Sequence, residues 1–270
     1  MDFRGASADA VAALTEELKT TVSASPEAAA KVADTLFEVS QTFRAEAALR
    51  RFVTDASVPK EAKTGLVAEL FGGKVDATGL GVVESAVKHR WTHAGDLSDA
   101  VERLSEIAAV RSAGGEAKRL ADELFAVQQA VQETPELRDA LSDPARTTED
   151  KAALVDTLLG GKALPATVTL TKQALAGTYR TASAALGEYQ KVAASVADEG
   201  TAVIRVAAPL SEAETTRLAA ALARKYGRDV HLNVVVDPAV VGGIKVSIGD
   251  DVIDGTVSSR LEGAQRALAG

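Results

Sequence analysis

The 270-residue sequence predicts a mostly α-helical protein in which two tandem helical bundles precede a small α+β module. Three observations support this fold class. Apolar residues recur at helical spacing over residues 1–195, a 46-residue segment repeats after 88 residues, and apolar residues alternate with a period of two from Thr201 onward. The expected domains are residues 1–110, 111–197 and 198–270.

The composition favours close-packed helices. Hydrophobic residues make up 46% of the chain and aromatic residues only 4%, so the core must consist mainly of Ala, Leu and Val. The absence of cysteine excludes disulfides, thiolate metal sites and cysteine nucleophiles. No basic-then-apolar leader and no apolar run of about 18 residues occurs, so we expect a soluble, cytoplasmic-type protein without membrane insertion.

The net charge of −8 lies entirely within residues 1–199, because residues 200–270 hold eight basic and eight acidic side chains. An acidic body repels phosphate groups and anionic lipids. We therefore expect no binding to nucleic acid, and we expect any charged partner to be basic.

The first half begins its helical pattern clearly at Pro26, with Ser25 before it as a natural N-cap. The apolar stripe of this helix consists of Ala29, Val32, Ala33, Leu36 and Phe43. Further short helices are expected over about residues 59–71, 81–90 and 97–110. Short helices with short connections are typical of a compact antiparallel bundle.

The repeat is the strongest internal signal. Residues 29–74 align without a gap on residues 117–162, with 18 identities in 46 positions. Both copies end in Gly-Gly-Lys, at Gly72–Lys74 and Gly160–Lys162. Because such agreement far exceeds chance for this composition, we interpret the helical half as a duplicated domain.

The last part of the chain predicts alternating strands and helices. A strand from Thr201 precedes a capping box, Ser211 with Glu214, which opens a helix that stops near Gly227. Strands over residues 230–236, 244–248 and 252–253 follow, with a turn at 249–251 before the fourth. A final helix is expected to place Val257, Leu261, Ala264 and Leu268 on one face. The first two strands, joined through a helix, can pair in parallel.

Sequence patterns typical of catalysis are missing. The two Gly-Gly-Lys segments lack the earlier glycine and the following Ser or Thr of a phosphate loop, since Ala68 and Val75 stand there in the first copy, and Asp156 and Ala163 in the second. We interpret both segments as helix stops. The acidic residues Asp237, Asp250, Asp251 and Asp254 are spaced for turn capping rather than for a carboxylate pair or a calcium loop.

Two histidines, His89 and His93, stand four residues apart on an expected helix, a spacing that can hold zinc. The catalytic glutamate of a zincin is absent between them, and no third ligand is evident nearby. We expect a solvated or partner-facing helix surface here, and we predict no metal and no cofactor.

The C-terminal module contains four ordered sequence blocks, residues 207–211, 226–228, 236–244 and 248–256. These blocks resemble the delta subunit of F-type ATP synthase, the family of the mitochondrial oligomycin-sensitivity-conferring protein. The helical part resembles the family's bundle at Leu49, Asp55, Lys63, Leu66, Leu70 and Phe71. The usual family member has one bundle, so this chain is similar to a long bacterial form with a duplicated bundle. The resemblance leaves open which copy performs the family's task.

The resemblance implies a mechanical role without catalysis. It implies a stator subunit whose bundle holds the N-terminal helix of an alpha subunit and whose C-terminal module joins the b subunits of the peripheral stalk. The alpha–beta head would then resist rotation while proton flow drives ATP synthesis. The implied location is the cytoplasmic face of the bacterial membrane, as a peripheral protein. Two alternatives remain: a helical-repeat adaptor unrelated to ATP synthase, and an enzyme with an unrecognised site.

Six residues of the resembling blocks are candidate structural or partner-facing positions. The glycines would permit backbone angles or close approaches that other residues cannot adopt, the aspartates would cap turns, and the proline would stiffen the turn after the second strand. They are Asp237, Pro238, Gly242, Gly243, Asp254 and Gly255.

Overall fold

A computed structural model of the chain describes residues 3–23, 25–199, 201–226, 230–237, 240, 242–248 and 251–257. The chain divides into two compact units, Met1–Ala193 and Ala194–Gly270. The first contains helices only and the second contains a small mixed sheet, which confirms the predicted fold class.

Eleven α-helices follow one another before the first strand in the described part of the chain. A short 3₁₀ turn, Gly114–Glu116, lies between the sixth and the seventh. Their bounds are α1 Ala6–Val22, α2 Pro26–Ala45, α3 Ala47–Thr54, α4 Lys60–Phe71, α5 Ala77–Lys88, α6 Ala94–Arg111, α7 Ala117–Glu133, α8 Pro135–Ser142, α9 Thr148–Leu159, α10 Pro165–Ala176 and α11 Ala182–Glu199.

The structural repeat is longer than the repeat of residue identities. Helices α3, α4, α5 and α6 recur as α8, α9, α10 and α11 with both bounds displaced by 88 residues. The 3₁₀ turn and α7 together span 114–133, which is α2 displaced by the same 88 residues. The duplication therefore covers five consecutive helices.

Local capping explains where the helices begin. The side chain of Ser25 accepts a hydrogen bond from Ala28 N at 3.1 Å, as the sequence predicts. Helix α5 starts four residues earlier than predicted, because Asp76 accepts from Thr78 N at 3.0 Å and from Gly79 N at 3.1 Å. An aspartate at the N-cap satisfies backbone donors that have no partner within the helix.

Both Gly-Gly-Lys segments end helices, as predicted. Gly73 and Gly161 have φ angles of 73° and 69°, the left-handed conformation that closes a helix. The following lysine then reaches back: Lys74 Nζ donates to Leu70 O at 2.8 Å, and Lys162 Nζ donates to Leu158 O at 3.2 Å. The lysine ammonium thus supplies a donor to carbonyls at the end of the helix.

The expectation that His89 and His93 share a helix is wrong. Helix α5 ends at Lys88, His89 is its C-cap, and His93 is the N-cap of α6. The chain turns between them because Thr92 N donates to Ser7 Oγ at 2.8 Å and Trp91 Nε1 donates to Ala86 O at 3.1 Å. The helical spacing that could hold zinc therefore does not exist.

Helix α6 packs along α2, and small side chains let the two backbones approach. The Ser105 hydroxyl donates to Ala33 O on α2 at 2.9 Å. Eleven of the 18 residues of α6 are buried, on more than one face of the helix. A helix buried on several faces lies in the centre of a packed unit rather than at its surface.

The second unit contains a four-stranded sheet in the order β2-β1-β3-β4 and one helix, α12, over Glu212–Tyr226. As predicted, β1 and β2 pair in parallel, and the Ser211 Oγ–Glu214 carboxylate contact of 2.7 Å opens the helix. The other two pairs are antiparallel. The strands are β1 Thr201–Val206, β2 His231–Val236, β3 Ile244–Ile248 and β4 Asp251–Asp254.

One face of this sheet forms the core of the module. Ala202, Ile204 and Val206 of β1 are buried against Val246 and Ile248 of β3. Leu222 of α12 belongs to the same cluster, so the helix packs on this face. The predicted final helix with Leu261, Ala264 and Leu268 lies outside the described residues, apart from Val257 at its start.

Candidate functional site

The glycines of the C-terminal blocks lie where the start of β3 meets the end of β4. Gly243 has a φ of +82°, and a Cβ added to it would lie 2.5 Å from Gly255 O and 2.9 Å from Thr256 Cα. Gly255 N donates to Ile244 O at 2.9 Å, and Val257 N donates to Gly242 O at 3.1 Å. Only glycine fits Gly243, since both the backbone angle and the space exclude a side chain.

The two aspartates lie at the same end of the sheet. Asp254 accepts from Thr256 Oγ1 at 2.7 Å and from Thr256 N at 3.0 Å, and these hydrogen bonds lower the pKa of its carboxyl. Asp237 N donates to Val206 O at 2.9 Å, and its carboxylate lies 3.5 Å from Arg205. Pro238 lies outside the described residues. The side chain of Asp254 therefore holds a backbone turn, whereas that of Asp237 pairs with Arg205.

The face of the sheet opposite α12 carries charged and apolar side chains. The strand register places Val235, Arg205, Lys245 and Asp254 in one row across the four strands. Val235 is 40% exposed, and Val252 in the neighbouring row is 53% exposed. This face of the sheet therefore combines charged side chains with exposed apolar ones.

The sequence patterns did not reveal a buried acidic pair on α6. Glu102 and Glu106 are both fully buried. Glu102 forms an ion pair with Arg44 of α2, and Glu106 Oε2 lies 2.7 Å from Arg103 Nη1 and 3.3 Å from the hydroxyl of Tyr179. The available signal was two glutamates four residues apart on a helix whose other positions are largely apolar.

Burial is the largest influence on the pKa of Glu106. It raises the pKa of Glu106 to about 7, although Arg103 and Tyr179 act in the opposite direction. Burial also raises the pKa of Tyr189, whose ring meets that of Tyr179 edge to face at 5.7 Å. Within the described part of the chain, Glu106 Oε1 and the Tyr189 hydroxyl have no hydrogen-bond partner. Glu102, Glu106 and Tyr189 are thus buried inside the helical unit.

Among the residues that the structure describes, no group of three His, Cys, Asp or Glu side chains could hold a metal ion. The same described residues include no helix long and apolar enough to cross a membrane.

A family model described as the ATP synthase delta (OSCP) subunit matches residues 104–268. A relative named ATP synthase subunit delta from Nocardioides sp. is 55% identical over 269 residues, which cover 99% of this chain and 98% of the relative. The chain belongs to the ATP synthase delta (OSCP) subunit family. A second delta subunit, from Streptomyces griseus, is 41% identical and covers 99% of this chain and 100% of the relative.

The delta subunits from Nocardioides and Streptomyces align with this chain over nearly their whole length, so they share the long form. The family model, in contrast, begins inside α6 and extends through the second copy into the C-terminal module. A chain of the Toxoplasma gondii mitochondrial ATP synthase hexamer aligns with 61% of this chain and 97% of its own length, at a TM-score of 0.31 and 18% identity. A score that low supports no conclusion about geometry.

Proposed function

We propose that this delta-family chain is a non-catalytic stator subunit that links the alpha–beta head of ATP synthase to the b subunits of the peripheral stalk. The observation that carries the proposal is the 55% identity to a delta subunit over nearly the whole of both chains. The burial of Glu102 and Glu106 and the turn-holding hydrogen bonds of Asp254 support a mechanical rather than a chemical role. The proposed location is the cytoplasmic face of the bacterial membrane.

The three domains are proposed to divide this work. Residues 1–110 would hold the N-terminal helix of an alpha subunit, residues 111–197 would extend the connection, and residues 198–270 would join the stalk. The mixed charged and apolar face of the sheet supports the last assignment, because Val235 and Val252 are exposed beside Arg205 and Lys245.

The choice of the first copy rests on α1. One face of this helix is exposed and carries Ala12, Ala13, Glu16 and Glu17. Glu16 pairs with Lys19 of the same helix, and Glu17 accepts a hydrogen bond from Ser85 of α5. Small side chains let another helix approach closely, and the acidic ones favour a basic amphipathic partner. The second copy has no comparable helix of its own, because the helix before α7 is the buried α6.

Reconstitution tests the proposal. Membrane vesicles that carry ATP synthase depleted of its delta subunit should hydrolyse ATP without pumping protons, and addition of the full-length chain should restore pumping. Gly243→Val should fail to restore it, whereas the control Gly65→Val should succeed, since Gly65 is exposed on α4 and a Cβ there would have no neighbouring atom within 4 Å. Unchanged pumping with and without the chain would contradict the stator role and favour the unrelated helical-repeat adaptor.

A further inference from the structure

Helix α6 occupies two positions in the duplicated unit. It is the last helix of the first copy, and its bounds recur as α11 after 88 residues. It also matches α1: Asp99, Ala100, Val101, Leu104 and Glu106 of α6 correspond to Asp9, Ala10, Val11, Leu14 and Glu16 of α1, at a constant spacing of 90 residues.

The packing of α6 agrees with this second correspondence. Helix α1 packs against α2 and α5, and α6 packs against their counterparts α7 and α10. Only residues 112–116 separate α6 from α7, so no other helix can open the second copy. The family model also begins inside α6, at residue 104. Helix α6 therefore closes the first copy and opens the second.

Ser105 joins the two copies through one hydroxyl group. Its Oγ donates to Ala33 O of α2 at 2.9 Å and accepts from Gln173 Nε2 of α10 at 2.8 Å. Ser105 and Gln173 are both buried. Because a buried polar atom that loses its hydrogen-bond partner destabilises the protein, separation of the copies here is unfavourable.

Glu102, one turn earlier, joins the copies through its two carboxylate oxygens. Oε2 pairs with Arg44 of α2, and Oε1 accepts from Thr178 N, just after α10, at 2.8 Å. Gly177 makes this approach possible, because a Cβ at that position would overlap Glu102 Oε1 and lie 3.0 Å from Gln173 O. The carboxylate cannot move aside freely, since it is fully buried and held from both copies.

We propose that the two copies form one stiff body built on the shared helix α6, without a hinge at residues 110–116. The proposal deepens the proposed stator function. The stiffness itself is argued from the contacts of α6, and only its consequence for torque rests on the stator function. A duplicated bundle joined by a flexible linker would absorb torque between the head and the stalk. A duplicated bundle that shares a buried helix transmits torque.

Spin-label distances test this in the isolated full-length chain, which has no native cysteine to interfere. One pair, Glu61→Cys with Glu149→Cys, joins equivalent exposed positions of α4 and α9 in the two copies. The control pair, Glu16→Cys with Glu61→Cys, lies within the first copy. We expect the distance distribution between copies to be as narrow as the one within the first copy. A broad or two-peaked distribution between copies alone would overturn the proposal.

A second variant tests whether the contact at Glu102 maintains the stiffness. Gly177→Ala should broaden the distribution between copies and leave the control pair unchanged, whereas Gly81→Ala, at an exposed position of α5 with open space around it, should change neither. Glu102→Gln, which keeps the size and weakens the ion pair, should broaden the distribution less. An unchanged distance distribution in both Gly177→Ala and Glu102→Gln would show that the contact at Glu102 does not maintain the stiffness. Because no ATP synthase is present, these results are independent of the proposed function.

Discussion

The rings of Phe43 and Phe71 meet edge to face in the first copy, with centroids 6.2 Å apart and ring planes at 85°. Their counterparts 88 residues later are Val131 and Leu159, of which Val131 is buried and Leu159 only half-buried. The far end of the second copy therefore buries less apolar surface than the same end of the first.

The first prediction concerns this difference. Amide hydrogens of α9 should exchange faster than those of α4, because fewer buried contacts hold α9 in place. Phe71→Leu should lower the free energy of unfolding by about 1 kcal/mol and reduce the difference in exchange. The control Phe125→Leu alters a ring that is 52% exposed and should have an effect within about 0.5 kcal/mol. Equal exchange of α4 and α9 in the unaltered chain would show that the packing difference has no energetic consequence.

The second prediction concerns Gly243. Gly243→Val should destabilise the C-terminal module by at least about 2 kcal/mol, because valine tolerates neither the φ of +82° nor the contact with Gly255 O. Hydrogen exchange should show loss of protection in β3 and β4, with the helices of residues 3–193 unchanged. Gly65→Val is the matched control and should leave β3 protected. Full protection of β3 in Gly243→Val would contradict the close approach seen here.

The third prediction concerns pH and Glu106. Its pKa is raised from 4.5 in the unfolded chain to about 7 in the folded protein, so its contribution to stability is complete below about pH 4.5 and is lost as the pH rises through 7. Glu106→Gln removes this titration. Between pH 5 and pH 8 the free energy of unfolding of the unaltered chain should therefore fall by about 2 kcal/mol relative to the variant.

Urea unfolding at several pH values measures this difference. The ionisable groups that act on Glu106 are Arg103 and Glu102 on α6 and Tyr179 before α11. Arg103→Lys, which keeps the charge beside Glu106, is the control and should retain the pH dependence of the unaltered chain. Parallel stability curves for Glu106→Gln and the unaltered chain would mean that Glu106 is solvated.

The fourth prediction concerns the two Gly-Gly-Lys segments. Gly73→Ala and Gly161→Ala should each lower the free energy of unfolding by about 1 kcal/mol, because alanine resists the left-handed conformation at both positions. Neither change should alter the response of the chain to magnesium and ATP in calorimetry. A heat of nucleotide binding that disappears in either variant would restore the phosphate-loop interpretation.

The fold was predictable wherever local chemistry determines it. Ser25, Gly73 and the pair Ser211 and Glu214 act through neighbouring residues, and their roles follow from spacing alone. The prediction that His89 and His93 share a helix was wrong for the opposite reason. A hydrogen bond between Thr92 and Ser7, which is 85 residues away in the sequence, ends the helical pattern between the two histidines.

The candidate site was predictable only in part. Gly243 could be singled out from its block, but the overlap with Gly255 that makes it irreplaceable depends on strand pairing. Glu102 and Glu106 were missed because charged residues on a helix are usually solvated, whereas both are fully buried in the packed helical unit. The boundary placed at residue 110 treats α6 as part of one copy, and it stays a prediction.

A binding isotherm with the full-length chain tests most directly whether the first copy holds the head. The titrant is a peptide copied from the N-terminus of the same organism's alpha subunit, with peptide helicity followed in parallel. Saturable one-to-one binding should be weakened at least tenfold by Ala13→Arg on α1 and left unchanged by Ala126→Arg, which is also at an exposed position, on α7 of the second copy. Binding that Ala126→Arg abolishes and Ala13→Arg spares would contradict the assignment to the first copy.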